Sequence, residues 1–166
     1  MSGFKKAFLL VAALGLAGCG NTLWDDSNSA GAGGPGSAGS NLDPASPAYF
    51  QQTIGDRVLF LVDQSTLNPT AESILQGQAR WLTANPDYIV TIQGHADEQG
   101  TREYNLALGA RRANSAREYL ISQGIAGSRI QVVSFGKERP LEICSDESCY
   151  AKNRRAVTVL AGGLTG

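Results

Sequence analysis

The feature that most constrains this chain is the stretch at residues 90–113, where a strand pattern passes through a polar loop into a helix pattern. Residues 88–92 alternate and are rich in β-branched side chains, which predicts a half-buried strand. We expect the strand to break at Gly94, because glycine permits a turn or the close approach of a ligand. The stretch therefore predicts a strand, a loop and a helix around which the rest of the domain folds.

The helix of this unit is predicted to begin near Arg102 and to end at Gly124. Its apolar seam has spacings of three and four residues and consists of Leu106, Gly109, Ala113, Ala116 and Leu120.

Polar side chains gather where the loop meets this helix. Asn105 and Arg112 are seven residues apart, so they lie two turns apart on one flank of the helix. Asp97 lies in the loop just before the unpaired N–H groups of the first turn. A carboxylate, a guanidinium and an amide around one spot suit a ligand that carries both an ammonium and a carboxylate.

The N-terminus, residues 1–18, has the pattern of an export signal. Lys5 and Lys6 precede an apolar run at residues 7–17 that is too short to span a membrane. The run ends in Leu-Ala-Gly before Cys19, which resembles a bacterial lipobox, so we expect a lipidated Cys19; an ordinary buried cysteine is the alternative. Gly20 follows it, and by the rule for such proteins this points to the outer membrane.

Composition divides the rest of the chain into a linker and one domain. Residues 19–48 are rich in Gly, Ser and Ala, so we expect a flexible linker with a reach of about 30 Å. Residues 49–163 have the length of one average domain. The formal charge of −1 gives no basic field, so nucleic acid is not an expected partner. The arginine pairs at residues 111–112 and 154–155 are accordingly interpreted as solvated faces.

The patterns within the domain predict an α/β (α+β) fold, with two layers in the order β-α-β-α-β-β and helices on one face of a mixed sheet. The apolar run at residues 58–62 predicts a strand covered on both faces. Asn68 and Pro69 predict the N-cap and first position of a helix that stops before the next proline. Strands are predicted at residues 130–135 and 155–160. The apolar stripe of the first helix consists of Ala71, Ile74, Leu75, Ala79 and Leu82.

Cys144 and Cys149 are the remaining cysteines, and export makes a disulfide between them the expected state. Closing so short a loop contributes only about 2 kcal/mol, so we interpret it as local stiffening before the last strand. A redox role is the alternative, although it favours a C-x-x-C spacing.

His95 is the only histidine and lies beside Asp97 and Glu98. A zinc site needs three or four ligands that converge from separate elements, so no metal site is predicted. The sequence has no G-x-S-x-G motif and no plausible Cys–His pair, so neither a catalytic residue nor a cofactor is expected. We expect His95 to fix the loop by hydrogen bonds, and a hydrolase that uses His95 remains an alternative.

Residues 92–113 resemble the signature of the OmpA-like peptidoglycan-binding domain. The matching motifs are G-H-A-D-E at 94–98, G-T at 100–101, Y-N at 104–105, L-G at 108–109, R-R-A at 111–113, S-F-G-K-E-R-P at 134–140 and K-N-R-R-A-V at 152–157. The resemblance implies a sheet ordered 1-4-2-3 whose fourth strand is antiparallel to its neighbours.

The resemblance also implies a ligand and its contacts. In such domains an Asp and an Arg hold the free meso-diaminopimelate end of a peptidoglycan stem peptide, and these positions are Asp97 and Arg112 here. Asp63, Asn105 and Leu108 match further contact positions. The family further implies an outer-membrane lipoprotein that ties the membrane to the cell wall, faces the periplasm and docks the periplasmic protein TolB.

Other interpretations of the same charges stay open. Arg112 could form a surface ion pair with Glu118 or with Asp97, and Asp97 could instead cap the loop. The domain could also bind only other proteins.

Overall fold

The computed structural model describes residues 42–162, and the predictions for the signal peptide, for Cys19 and for most of the linker lie outside these residues. No helix within this range combines the length and the apolar character needed to cross a membrane. The helices are α1 (Pro47–Tyr49), α2 (Pro69–Ala84), α3 (Arg102–Ser122) and α4 (Glu147–Asn153), with a π-helical turn at Phe50–Gly55 and a 3-10 turn at Gly127–Arg129. The strands are β1 (Arg57–Leu59), β2 (Ile89–His95), β3 (Ile130–Gly136) and β4 (Arg155–Ala161).

The four strands form one mixed sheet in the order β1-β4-β2-β3. Strands β2 and β3 are parallel, whereas β4 is antiparallel to both β1 and β2. This confirms the two-layer α+β fold and the strand order that the resemblance implied. The carboxyl ends of β1, β2 and β3 consequently meet the start of β4 at one end of the sheet.

Helix α2 forms as its sequence predicts. The Asn68 side chain accepts a hydrogen bond from the Ala71 N–H at 2.8 Å, and Pro69 occupies the first helical position. The helix ends at Ala84, ahead of Pro86. Four residues of the predicted stripe are buried and Ile74 is half-buried; the buried ones are Ala71, Leu75, Ala79 and Leu82.

The prediction for the first strand is wrong in length and in burial. Only Arg57–Leu59 is strand, and Leu59 and Leu61 are 46% and 58% exposed, while Val62 is also exposed. In the part of the chain that the structure describes, strand β1 lies at the edge of the sheet and pairs only with β4. Because the helices cover one face of the sheet only, alternate side chains of the apolar run face outward.

The predicted seam of α3 is wrong at one position. Leu106 is exposed, and the buried stripe passes through Leu108 instead. The stripe also includes two polar residues, Asn105 and Arg112, which a search for apolar spacing overlooks. The other predicted positions, Gly109, Ala113, Ala116 and Leu120, are buried.

Strand β2 runs through Gly94, so the predicted break there is wrong. A Cβ on Gly94 would lie 1.8 Å from the carbonyl oxygen of Gly109 in α3. A Cβ on Gly109 would lie 2.5 Å from Ser134 Oγ. Helix α3 therefore packs on β2 backbone against backbone, and Gly94 accommodates the helix.

Residues 42–48, which composition groups with the linker, contact the domain in the structure. The Trp81 indole N–H donates to the Pro44 carbonyl at 2.7 Å, and the Tyr88 hydroxyl donates to the Ala45 carbonyl at 3.2 Å. The Trp81 ring also packs on Phe50 with 4.9 Å between ring centroids. The chain thus enters the domain along α2.

Gly94→Ala should destabilise the domain by about 3 kcal/mol or more, because the new methyl group overlaps backbone atoms that cannot move separately from α3. Urea unfolding followed by circular dichroism measures the change. The control is Gly77→Ala within α2, where the new methyl group meets only Ile54 at 3.5 Å and should be neutral or stabilising by up to about 1 kcal/mol. Equal stability of the two variants would contradict the close packing of α3 on β2.

Candidate functional site

The predicted site residues converge at the end of the sheet where β2 stops and β4 starts. The turn at residues 60–64 follows β1, and the loop at residues 96–101 joins β2 to α3. Backbone hydrogen bonds extend the sheet into these segments, from the Phe60 N–H to the Arg154 carbonyl at 2.9 Å and from the Ala96 N–H to the Gly136 carbonyl at 2.8 Å. A rigid framework therefore positions both segments against the first turns of α3.

Arg112 is the centre of the site and is fully buried. Its Nε donates to the Gln64 carbonyl at 2.8 Å, Nη1 to the His95 carbonyl at 2.9 Å and Nη2 to the Leu61 carbonyl at 3.1 Å. The guanidinium also lies 5.4 Å from the centre of the Phe60 ring. One side chain of α3 thereby holds the turn after β1 and the end of β2.

The charge of Arg112 is unbalanced within the described part of the chain. It forms no salt bridge there, either with Glu118 or with Asp97, so a surface ion pair is not its role. Its three hydrogen bonds use three of the five guanidinium N–H groups and leave one on each Nη. The pKa of Arg112 is lowered to about 10, by burial above all and also by Arg154, against the Asp97 and Asp63 carboxylates that raise it, so the side chain stays cationic at neutral pH.

Asp97 is buried and faces a second arginine. Its Oδ2 accepts from Arg154 Nη1 at 3.1 Å, and its Oδ1 accepts from the Gln99 N–H at 3.3 Å. Asp97 therefore does cap the loop, as one alternative proposed. A carboxylate has about four acceptor positions, so these two bonds leave others for a ligand.

Arg154 is a site residue that the sequence interpretation missed. Arg154 and Arg155 are both buried, so their interpretation as a solvated pair is wrong, as it is for Arg112. Arg154 also forms an ion pair with both carboxylate oxygens of Glu147. Only the tertiary fold brings residues 97 and 154 together, and no local pattern identifies such a pair.

Asn105 supplies an unpaired acceptor at the start of α3. Its Nδ2 donates to the Gln99 carbonyl at 2.7 Å, whereas its buried Oδ1 has no hydrogen-bond partner among the described residues. The backbone of Gln99 thus connects the two side chains, because its N–H donates to Asp97 and its carbonyl accepts from Asn105. A buried acceptor without a partner is uncommon, and a ligand donor would satisfy it.

Asp63 and Leu108 complete the predicted set. Asp63 has a φ of 53°, which makes it the one non-glycine residue of the described range in the left-handed region. The Tyr104 hydroxyl donates to its Oδ1 at 3.2 Å, so the turn after β1 is tied to the first turn of α3. Backbone strain of this kind persists where surrounding contacts hold it, often beside a binding site. Leu108 is buried in α3 between Asn105 and Arg112.

Within residues 42–162, His95 has no acidic partner. Its ring is buried 5.5 Å from the Phe135 ring, and its Nδ1 has no hydrogen-bond partner among the described residues. Desolvation, together with the charges of Arg155 and Arg139, lowers the pKa of His95 to about 4, against a hydrogen bond with the Arg139 backbone that raises it. The loop is fixed by the His95 carbonyl and Arg112, so the predicted role of the imidazole is wrong in part.

Helix α4 was not predicted, although its start has a recognisable signal. Asp146 Oδ1 accepts from the Ser148 N–H at 2.9 Å and from the Cys149 N–H at 3.3 Å, and Glu147 follows in the first turn. The Cα atoms of Cys144 and Cys149 lie 6.1 Å apart, and their sulfur atoms are joined. The disulfide closes onto the first turn of this helix.

Comparison with known proteins relates both the sequence and the fold to one group. Residues 59–154 match the model of the OmpA family. The chain is 52% identical over 150 residues to the peptidoglycan-associated lipoprotein of Agrobacterium fabrum, with 90% of this chain and 84% of that protein covered. The crystal structure of the peptidoglycan-associated lipoprotein from Burkholderia pseudomallei has a TM-score of 0.66 and 36% identity, with 72% of this chain and 100% of that chain covered. The C-terminal domain of Helicobacter pylori MotB shares the fold, with a TM-score of 0.61 at 17% identity, over 66% of this chain and 86% of that one.

Arg112→Ala should destabilise the domain by about 3 kcal/mol or more, because it leaves three carbonyls without their donor and opens a cavity. Thermal and urea unfolding measure the loss. Arg111→Ala is the matched control, since Arg111 is exposed on the same turn and should change stability by less than about 0.5 kcal/mol. Wild-type stability in Arg112→Ala would show that the three hydrogen bonds do not hold the loops.

Domain stability should fall as the pH decreases from about 6.5 to about 4. In this range the unfolded chain protonates His95 at its ordinary pKa, whereas the folded protein keeps it neutral, so the unfolded state binds more protons. The contribution of His95 is about 3 kcal/mol. Urea unfolding at several pH values tests this with His95→Gln, which should show a shallower slope. Identical slopes in both proteins would exclude His95 as the cause.

Proposed function

The chain belongs to the OmpA family, among its peptidoglycan-associated lipoproteins, and from this membership we propose that its folded domain binds the peptidoglycan wall. This family consists of structural wall-binding proteins, and the chain is not an enzyme. The chemistry of the site accordingly concerns recognition of a ligand and involves no bond cleavage.

The ligand that fits the site is the free end of meso-diaminopimelate in a stem peptide. The observation that carries this proposal is the buried cation of Arg112, which forms no salt bridge within residues 42–162 and keeps one free N–H on each Nη. A ligand carboxylate would accept both N–H groups and balance the charge. Such a pair is strong in a site shielded from water.

The ammonium of the same ligand group would lie against Asp97. That carboxylate retains acceptor positions beside its bonds to Arg154 and Gln99, and the unpaired Asn105 Oδ1 offers a further acceptor. Diaminopimelate presents an ammonium and a carboxylate on one carbon at the end of a side chain. A lysine at the same position offers only the ammonium and would leave Arg112 unpaired, so the site selects for diaminopimelate.

The same proposal covers the setting of the domain in the envelope. Lipidation at Cys19 would anchor the chain, and the linker would let the domain reach the wall from the outer membrane. The relatives named as lipoproteins support this arrangement. TolB is the proposed periplasmic partner, on the surface around the diaminopimelate site; if the two surfaces overlap, TolB and the wall would exclude each other.

Binding to isolated sacculi tests the wall-binding proposal directly. We expect the soluble domain to sediment with diaminopimelate-containing sacculi, without release of fragments, and less with sacculi that carry lysine instead. Asp97→Asn and Arg112→Lys should each weaken binding about tenfold or more, because one removes the charge for the ammonium and the other removes the bidentate grip.

The control for these variants is Asp87→Asn, an exposed carboxylate before the start of β2, at the other end of the sheet. It should bind as the wild type does. If Asp97→Asn and Arg112→Lys both bind sacculi as strongly as the wild type does, the binding site lies elsewhere on the domain. If the wild type does not bind, the wall-binding proposal fails and the domain would bind only other proteins. Release of fragments would contradict a role in binding alone.

A further inference from the structure

A line of contacts connects the disulfide loop with the carboxylate of the proposed site. Cys149 and Glu147 lie in the first turn of α4. The carboxylate of Glu147 binds the Arg154 guanidinium, which in turn binds Asp97. The disulfide loop thus ends two contacts away from the group that would receive the ligand ammonium.

The arrangement of Arg154 explains why Glu147 matters. The Arg154 side chain is only 4% exposed, and its Nε donates to the Phe60 carbonyl at 3.2 Å. Nη2 is directed to Glu147, so Arg154 gives Asp97 only one hydrogen bond, from Nη1. Without Glu147, the Nη2 donors would be free to form a second bond to Asp97, since a guanidinium and a carboxylate favour the bidentate pair.

The charges of these side chains also predict that loss of Glu147 weakens the binding of an ammonium at Asp97. With Glu147 in place, Arg154 is shared between Glu147 and Asp97, so the negative charge of Asp97 is only partly compensated by Arg154. Loss of Glu147 would leave Arg154 matched by Asp97 alone, which reduces the attraction of Asp97 for an ammonium. The carboxylate end of the ligand, at Arg112, would be affected less.

We infer that Glu147 is a positioning residue that keeps Asp97 available to a cationic ligand group by engaging Arg154, and that the Cys144–Cys149 disulfide holds Glu147 in this place. The inference rests on the proposed function. Two features fix Glu147: the Asp146 cap orders the first turn of α4, and the disulfide closes the loop that precedes it. A domain without this disulfide should therefore bind the wall more weakly.

The test is a double-mutant cycle between Glu147 and Asp97. Calorimetry with a disaccharide tripeptide that ends in meso-diaminopimelate should show about tenfold weaker binding for Glu147→Gln than for the wild type. In the Asp97→Asn background, Glu147→Gln should produce no further loss. A general loosening of the fold would weaken binding in both backgrounds, so the cycle separates positioning from a merely structural role.

Glu118→Gln is the matched control, because the Glu118 side chain is 65% exposed, as is that of Glu147, and it pairs with Arg117 outside the site. It should bind as the wild type does. The double variant Cys144→Ser/Cys149→Ser should bind several-fold more weakly, and adding Glu147→Gln to it should change little. Circular dichroism at the assay temperature verifies that each variant is folded.

The outcomes distinguish this inference from the proposed function. If the wild type does not bind the tripeptide, the proposed function fails and the inference fails with it. If the wild type binds and Glu147→Gln binds equally well, only the role of Glu147 is overturned. Equal losses of affinity on Glu147→Gln in the two Asp97 backgrounds would likewise overturn the role of Glu147. Wild-type affinity in the cysteine variant would show that the disulfide does not hold Glu147 in place.

Discussion

The buried guanidinium of Arg112 is the interaction on which the site depends. It donates to carbonyls in the turn after β1 and at the end of β2, so a single side chain of α3 fixes the two segments that lead to Asp63 and Asp97. A buried cation is costly unless it is hydrogen-bonded and balanced by charge. Within residues 42–162 the protein supplies the hydrogen bonds, but its carboxylates are only near Arg112 and none is paired with it. This leaves a place for an anionic group of a ligand.

The position of the Arg112 guanidinium depends on the close packing of the α3 backbone on the β2 backbone, which only glycine allows. Gly94 and Gly109 bring α3 into backbone contact with β2. The contact is so close that a side chain at either position would overlap neighbouring atoms. Long side chains of a helix point toward its N-terminus, so Arg112 extends toward the loop that holds Asp97. The same packing therefore sets the distance between Arg112 and Asp97, the two side chains that would hold the proposed zwitterionic ligand.

Much of the fold followed from local patterns, whereas the site followed from them only in part. Asn68 and Pro69 determine the start of α2 because capping acts within a few residues. The prediction that the apolar run at residues 58–62 is covered on both faces is wrong, because burial there depends on which faces of the sheet the helices cover. Arg154 was missed because its partner Asp97 lies 57 positions away in sequence. Arg112 was placed at the site by resemblance, yet its burial and its three carbonyl partners required the structure.

In the proposed mode of binding, one ligand group engages Arg112, Asp97 and Asn105 together. The most direct measurement is a titration of the isotopically labelled domain with the meso-diaminopimelate tripeptide, followed by heteronuclear magnetic resonance. The guanidinium of Arg112, the backbone amide of Gln99 and the side-chain amide of Asn105 should shift together with one dissociation constant, while the indole of Trp81 stays unchanged. Shifts confined to other surfaces, or separate constants for these three groups, would contradict a single diaminopimelate site.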